Sequence, residues 1–333
     1  MAAFFGLLLV VFLLVDSGAA EVAHAMIAVG WGLVPIALFH LLPLCLSALS
    51  WRELLPGSSR PDIVSAVWIR WIRESINSLL PVASVGGDLA GARLAHRRGV
   101  PGAQAAAVMV VDTTVGAATQ LVFVLAGVML LLTRSVGPAA TRVAWALSIG
   151  MAVFVAAIVA FAALQHRSMF AALARLARRV SSGQRLAGFA DGAKAVDDAI
   201  MAAYRRRFAL LRASLLRLAG WAAGAGEIWL VMRFLGKPLD AADAFVLESL
   251  GSGVRAAAFI VPGALGAQEG GFVLFGALFG LPASTALVIS LSMRVRELLL
   301  GLPGLLVWQW AEARHLLRRE AEARATSEPS RTL

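Results

Sequence analysis

From Ile27 to Ser50 the chain runs for 24 residues without a charged side chain. About 20 consecutive apolar residues carry a helix across the ~30 Å hydrocarbon core of a bilayer, so this stretch predicts a full span, with kinks at Pro35 and Pro43. Comparable spans are predicted at Ala103–Leu132, Val143–Leu164, Phe208–Val231 and Ala283–Trp310. Ala2–Val15 is also apolar and is long enough to cross if its helix extends to Ala20. A cleaved signal peptide is the rival reading there, and the lack of a basic leading region favours a retained helix. With 59% hydrophobic and 15% charged residues, the chain reads as an all-α polytopic membrane protein.

Two further apolar segments are interrupted. The stretch Pro262-Gly-Ala-Leu-Gly-Ala-Gln-Glu-Gly-Gly271 removes a backbone donor at Pro262 and loosens the chain at Gly263 and Gly266, so a helix arriving from Ala244 is expected to stop near Val261 and restart. It leaves one carboxylate, Glu269, between apolar flanks, and an ionisable group at that depth is a functional candidate. The bland alternative is a glycine-rich periplasmic loop with an ordinary solvated glutamate. A second copy weighs against it. Pro81-Val-Ala-Ser-Val-Gly-Gly-Asp88 carries Gly86, Gly87 and Asp88 ahead of Gly99-Val-Pro101. Each anchor returns 181 residues later: Pro81 at Pro262, Asp88 at Glu269, Gly99 at Gly280, Pro101 at Pro282. Interrupted apolar segments at matching places in two halves point to a transporter's binding site.

The arms entering both breaks carry charge on one helical stripe: Arg70, Glu74 and Asn77 in the first, Glu248, Ser252 and Arg255 in the second. Glu74 and Arg255 occupy equivalent positions with opposite sign. A cytoplasmic amphipathic helix is the bland reading of the first arm, and the duplication favours a hairpin. Its returning arm passes Arg93, His96, Arg97 and Arg98, a basic exit expected in the cytoplasm. Asp112 is a further buried-charge candidate, while Thr113, Thr114 and Gln120 suit plain interhelical hydrogen bonds. Late in the chain Arg294 and Glu297 stand at i,i+3 and can pair, and Arg296 is expected on another face.

Residues 165–207 form a basic loop, read as cytoplasmic, in which Phe170, Leu173, Leu176, Ala177 and Val180 make an interfacial amphipathic stripe. The formal charge of +10 reflects such arginines beside apolar spans rather than a nucleic-acid partner. Cys45 stands alone, which excludes an intramolecular disulfide. The histidines at 24, 40, 96, 166 and 315 show no metal-binding spacing, so neither metal nor other cofactor is expected. No Walker A sequence occurs. With both termini cytoplasmic, six full spans plus two broken-helix hairpins close consistently. The hairpins are re-entrant, or fully crossing to give eight spans, and the repeat is inverted, with halves at about 1–132 and 143–310 in one membrane domain and a cytoplasmic tail at 311–333.

These features together, above all Leu80-Pro-Val-Ala-Ser-Val-Gly-Gly-Asp88, Val261-Pro-Gly-Ala-Leu-Gly-Ala-Gln-Glu269 and Arg294, resemble the membrane region of the lysylphosphatidylglycerol synthase/flippase family, most closely its stand-alone hopanoid-biosynthesis-associated members. The resemblance implies a bacterial inner-membrane protein that moves an amphiphilic lipid, hopanoid or phospholipid, between leaflets. The soluble aminoacyl-transferase domain of the two-part synthases is not expected after Trp310, and an acidic-Arg pair common in the family's third span stands here as Asp112-Thr113. The expected mechanism is alternating exposure of a midplane cavity in which Asp88, Glu269, Arg255 and Arg294 meet a headgroup, with Glu74, Arg93, Asp112 and Glu297 as further candidates. Membrane lipids are the expected partners, with lipid-synthesis or export proteins beside them. A membrane-embedded lipid-modifying transferase and a scaffold for lipid-synthesis enzymes are the alternatives.

Overall fold

The computed structural model describes residues 2–80, 85–134, 138–167, 169, 172, 184–258 and 261–327. Every element among them is helical: α1 Ala2–Asp16, α2 Ala19–Val29, α3 Leu33–Phe39, α4 Leu41–Leu54, α5 Ile63–Leu79, α6 Val85–Arg97, α7 Gly102–Arg134, α8 Pro138–His166, α9 Gln184–Arg205, α10 Arg207–Phe234, α11 Ala241–Ala257, α12 Ala267–Leu278 and α13 Ala283–Ser327. The Pro81 hairpin tip and the Phe170–Val180 stripe lie outside the described residues.

Among the described residues three stretches are long and apolar enough to cross a membrane: Ala19–Leu54, Gly102–Thr133 and Arg207–Phe234. Multi-pass insertion follows from these alone. The expected span at Ala283–Trp310 falls within α13, where Arg294, Arg296 and Glu297 interrupt the apolar sequence. Within the tail expected at 311–333, that helix continues to Ser327. At the N-terminus α1 ends at Asp16, and Gly18 at φ 82° separates it from α2, so the first helix does not run on to Ala20. The α3–α4 boundary falls at His40. Pro43 has no N–H to close on the Phe39 carbonyl, which loosens the helix at that turn.

The duplicated motifs adopt duplicated backbone. After α6, Gly99 has φ 90°, its N–H bonds the His96 carbonyl at 3.0 Å and Val100 N–H bonds Ala95 at 3.2 Å. After α12, Gly280 has φ 69°, its N–H bonds Ala277 at 3.2 Å and Leu281 N–H bonds Gly276 at 3.0 Å. Both are Schellman caps, which need a residue in the left-handed region where glycine carries no Cβ penalty. Pro101 and Pro282 then lead into α7 and α13. The second break is tight: Gly263, Ala264 and Gly266 all have positive φ, and α11 stops at Ala257, earlier than expected. α5 has 17 residues, α6 13, α11 17 and α12 12, each shorter than the ~20 that cross a bilayer.

Packing repeats as well. α5 lies on α6 and α11 on α12; α5 also packs on α13 while α11 packs on α7, and α4 packs on α10. Close approach is built in. A Cβ at Gly127 of α7 would collide with the Ser249 side chain of α11, and one at Gly304 of α13 with the Ser75 side chain of α5. One apolar core gathers Ile69, Ile72, Ile76 and Leu94 around α5 and α6, and a second gathers Val246, Leu250, Phe272 and Phe275 around α11 and α12. On α10 and α13 the segments feeding the two cores are separated by charged residues: Arg217 and Glu227 on α10, Arg294, Arg296 and Glu297 on α13.

Candidate functional site

An isolated charge in an apolar core is costly, so such groups are paired. Here the pairs join into a chain from one helix break to the other. Asp88, in the first turn of α6, accepts from Arg73 Nε at 2.5 Å and from Thr113 Oγ1 at 3.1 Å. Arg73 also donates to Asp112, which takes Arg217 Nη2 at 2.5 Å on its other oxygen. Arg70 Nη1 approaches Asp112 at 3.8 Å, and its Nε stands 3.5 Å from Glu74 Oε2 without a hydrogen bond.

Glu74 Oε1 meets His40 Nε2 at 2.8 Å, and His40 Nδ1 meets Glu227 Oε1 at 2.7 Å. Arg296 Nη1 donates to Glu227 Oε2 at 2.6 Å, and its Nη2 lies 3.5 Å from Glu297. Glu297 is 3.3 Å from Arg294, whose Nε bonds Glu269 Oε1 at 3.1 Å. Glu269, only 1% exposed, also accepts from Ser290 Oγ at 3.1 Å and from the Gly266 backbone N–H at 2.8 Å. Its carboxylate therefore both caps α12 and closes the network, as an anion at a helix N-terminus does. Alongside, Arg255 Nη2 donates to Glu248 at 2.5 Å.

A cavity of about 360 Å³ opens beside the middle of this chain, walled by His40, Glu74, Asn77, Arg255, Arg296 and Glu297 together with Trp71, Trp221, Leu44 and Leu300. At ~30 Å³ per water it takes roughly a dozen waters, or one polar headgroup. Glu74 and Arg255, the opposite charges at equivalent repeat positions, both face it. Charge beside indole and leucine suits an amphiphile.

Of the residues singled out from the sequence, Asp88, Asp112, Glu74, Glu297, Arg294 and Glu269 fall in the network and Arg255 on the cavity wall. Gly87 earns its place by contact: its N–H donates to Asn77 Oδ1 at 2.8 Å, and a Cβ there would strike the Arg73 carbonyl. Gly86 lies in the first turn of α6, and Gly263, beside Arg294 Nη1, sits with Pro262 and Gly266 in the second break. Arg93 is not brought in. It is 56% exposed and lies 3.5 Å from Glu312 on the far part of α13, where Arg97 also pairs at 2.6 Å. Arg296, expected on another face, instead lines the cavity, because a guanidinium on a long stem reaches around its helix.

His40, Glu227, Arg73 and Arg217 complete the network without having been singled out. The available signals were a histidine in an uncharged run between two prolines and a lone carboxylate in the α10 span. No cluster of three His, Cys, Asp or Glu side chains suited to a metal occurs among the described residues.

No curated protein and no solved structure among those compared matches the chain. One family does, over residues 1–304, a range that takes in both helix breaks and every member of the network from His40 to Glu297. The chain therefore belongs to the lysylphosphatidylglycerol synthase TM-region family, whose members are membrane proteins of lipid modification or transport.

Proposed function

We propose that the protein is a lipid translocator of a bacterial inner membrane, moving an amphiphilic lipid, hopanoid or phospholipid, between leaflets by alternating access, with both termini in the cytoplasm. The observation that carries this reading is the charged cavity, whose wall takes Glu74 from one half and Arg255 from the other. An inverted repeat supplies two equivalent gates around one central site, which is what alternating access needs. In support, the Schellman caps recur at the same offset, and α5 on α13 mirrors α11 on α7. The short arms α5, α6, α11 and α12 suit re-entrant hairpins. A headgroup held by the polar wall while its tails stay in lipid crosses without exposing charge to hydrocarbon.

The test is reconstitution into liposomes with fluorescent phospholipid or hopanoid labelled in one leaflet, with mass spectrometry of the lipids in parallel. Exchange without chemical conversion is expected. Conversion would replace the translocator with a lipid-modifying transferase, and neither exchange nor conversion would favour a scaffold.

A further inference from the structure

Three groups converge on the His40 ring. Nε2 lies 2.8 Å from Glu74 Oε1, and Nδ1 lies 2.7 Å from Glu227 Oε1 and 2.6 Å from Arg296 Nη1. Nε2 carries a hydrogen to Glu74, since two acceptors do not sit so close. Nδ1 has one role at a time. With a hydrogen it donates to Glu227 and sets a positive edge against Arg296; bare, it accepts from Arg296 and sets a lone pair against the Glu227 carboxylate. The two contacts belong to two proton occupancies of one site.

The groups around the ring come from every packed element. α5 supplies Glu74, with Arg70 behind it; α10 supplies Glu227; α13 supplies Arg296 and Glu297. α11 supplies Arg255 across the cavity, tied to Glu248, and α7 reaches the ring only through Asp112 on Arg70. Its own passage adds no charge between Ala25 and Ser50. Over the whole network seven carboxylates (74, 88, 112, 227, 248, 269 and 297) meet six guanidiniums (70, 73, 217, 255, 294 and 296). A proton on His40 is the charge that makes them balance.

The cavity wall carries unused donors on its cationic side. Glu74 Oε1 meets the His40 ring and its Oε2 lies 3.5 Å from Arg70, while both Glu297 oxygens face arginines. Arg255 has five donors, yet beyond Glu248 its Nη1 meets only the Met293 sulfur at 3.9 Å. Arg296 lines the wall with its Nε buried and unpartnered behind it, and Asn77 spends its carbonyl on Gly87 and keeps its amide hydrogens. Spare donors on guanidinium and amide groups suit an anion.

Building on the translocator reading, we propose that the cavity takes the phosphate of a lipid headgroup together with one proton, Arg255 and Arg296 holding the phosphate and His40 the proton. The only bond made or broken is an N–H. The proton comes from water on the open side, sits on Nδ1 and leaves to water on the other side with the lipid. A bound monoanion plus a proton returns the network to the net charge of its empty, deprotonated form, so the two forms that interconvert differ in no net charge.

Purified wild type in weakly buffered detergent solution is titrated with dihexanoyl phosphatidylglycerol, a soluble phosphodiester lipid, while pH is recorded. At a pH high enough for the empty site to have lost its proton, close to one proton taken up per lipid bound is expected, with affinity falling there by up to about tenfold per pH unit as pH rises, because linked sites act reciprocally. His40→Gln removes the uptake and the pH dependence. Arg255→Gln weakens binding by about tenfold at every pH. Binding without proton uptake overturns the proposal, as does equal binding of dihexanoylglycerol, which has no phosphate. Equal affinity for inorganic phosphate assigns the site to the free ion and overturns the lipid headgroup. If His40→Gln does not fold, Glu227→Gln replaces it with the same expectation, and the wild-type proton count decides by itself. Linked binding without leaflet exchange leaves this site standing and removes the translocator; exchange without proton uptake does the reverse.

Discussion

Asp112 is fully buried and held by Arg73 and Arg217, with Arg70 nearby. Removing it strands Arg217, which has no other ion partner among the described residues. Breaking a buried pair from one side costs about 3–5 kcal/mol, so Asp112→Ala is expected to lower the melting temperature sharply or to prevent folding. Glu269 and Asp88 differ in this respect. Without Glu269, Arg294 retains Glu297; without Asp88, Arg73 retains Asp112. Glu269→Gln and Asp88→Asn should therefore fold and insert normally, yet slow leaflet exchange by about tenfold or more, the worth of a charge-assisted hydrogen bond. Unchanged exchange in either would remove that residue from the site. Acids and arginines inside apolar runs were legible because insertion cost marks them one at a time. Their pairing was not. Arg296 escaped because face arithmetic treats a long flexible side chain as if it ended at its Cβ, and His40 because an imidazole adds little to a hydropathy profile until its neighbours are known.

The ends of α6 and α12 are local features, because each is a Schellman cap set by a few consecutive residues, whereas the end of α11 at Ala257 was not legible in that way. Gly99 and Gly280 both require the left-handed region, which costs any L-residue with a Cβ about 1–2 kcal/mol. Gly99→Ala and Gly280→Ala should each destabilise by that amount in chemical or thermal unfolding. Gly270 provides the control: it is helical with open space where a Cβ would go, so Gly270→Ala is expected to be neutral or slightly stabilising. Equal effects at all three positions would show that the caps do not govern where α6 and α12 stop. Less local features were harder to read. The run of α13 to Ser327 follows from helix-forming residues after Trp310, whose helicity the apolar pattern of the span does not announce. The packing of α5 against α13 depends on Gly301 and Gly304 meeting Leu79 and Ser75, more than 220 positions away.

At the scale of the molecule, charge is sorted between two ends. At one, Glu53, Arg60, Arg205, Arg206, Arg207 and Arg212 share a surface pocket, Arg206 donates to the Leu54 carbonyl at 2.9 Å, and the Arg97–Glu312 pair joins the α6 exit to late α13. At the other, Ser284 donates to Glu21 at 2.8 Å and Lys237 to Thr285 at 3.1 Å. The elements that meet at each end are those that six spans with inverted hairpins would bring to one side. Arginine excess retains an end in the cytoplasm, so the arginine-rich end is expected there. With Cys45 replaced by serine, Ser58→Cys in the α4–α5 turn should resist an impermeant thiol reagent in intact cells and react after permeabilisation. Pro238→Cys, in the exposed turn after α10, should react in both. Labelling of Ser58→Cys from outside would reverse the orientation. Labelling of both from the same side would place the ends of α4 and α10 together, and helices that pack on each other at equivalent places in the two halves would then run the same way, removing the inverted repeat and with it the reason for two gates.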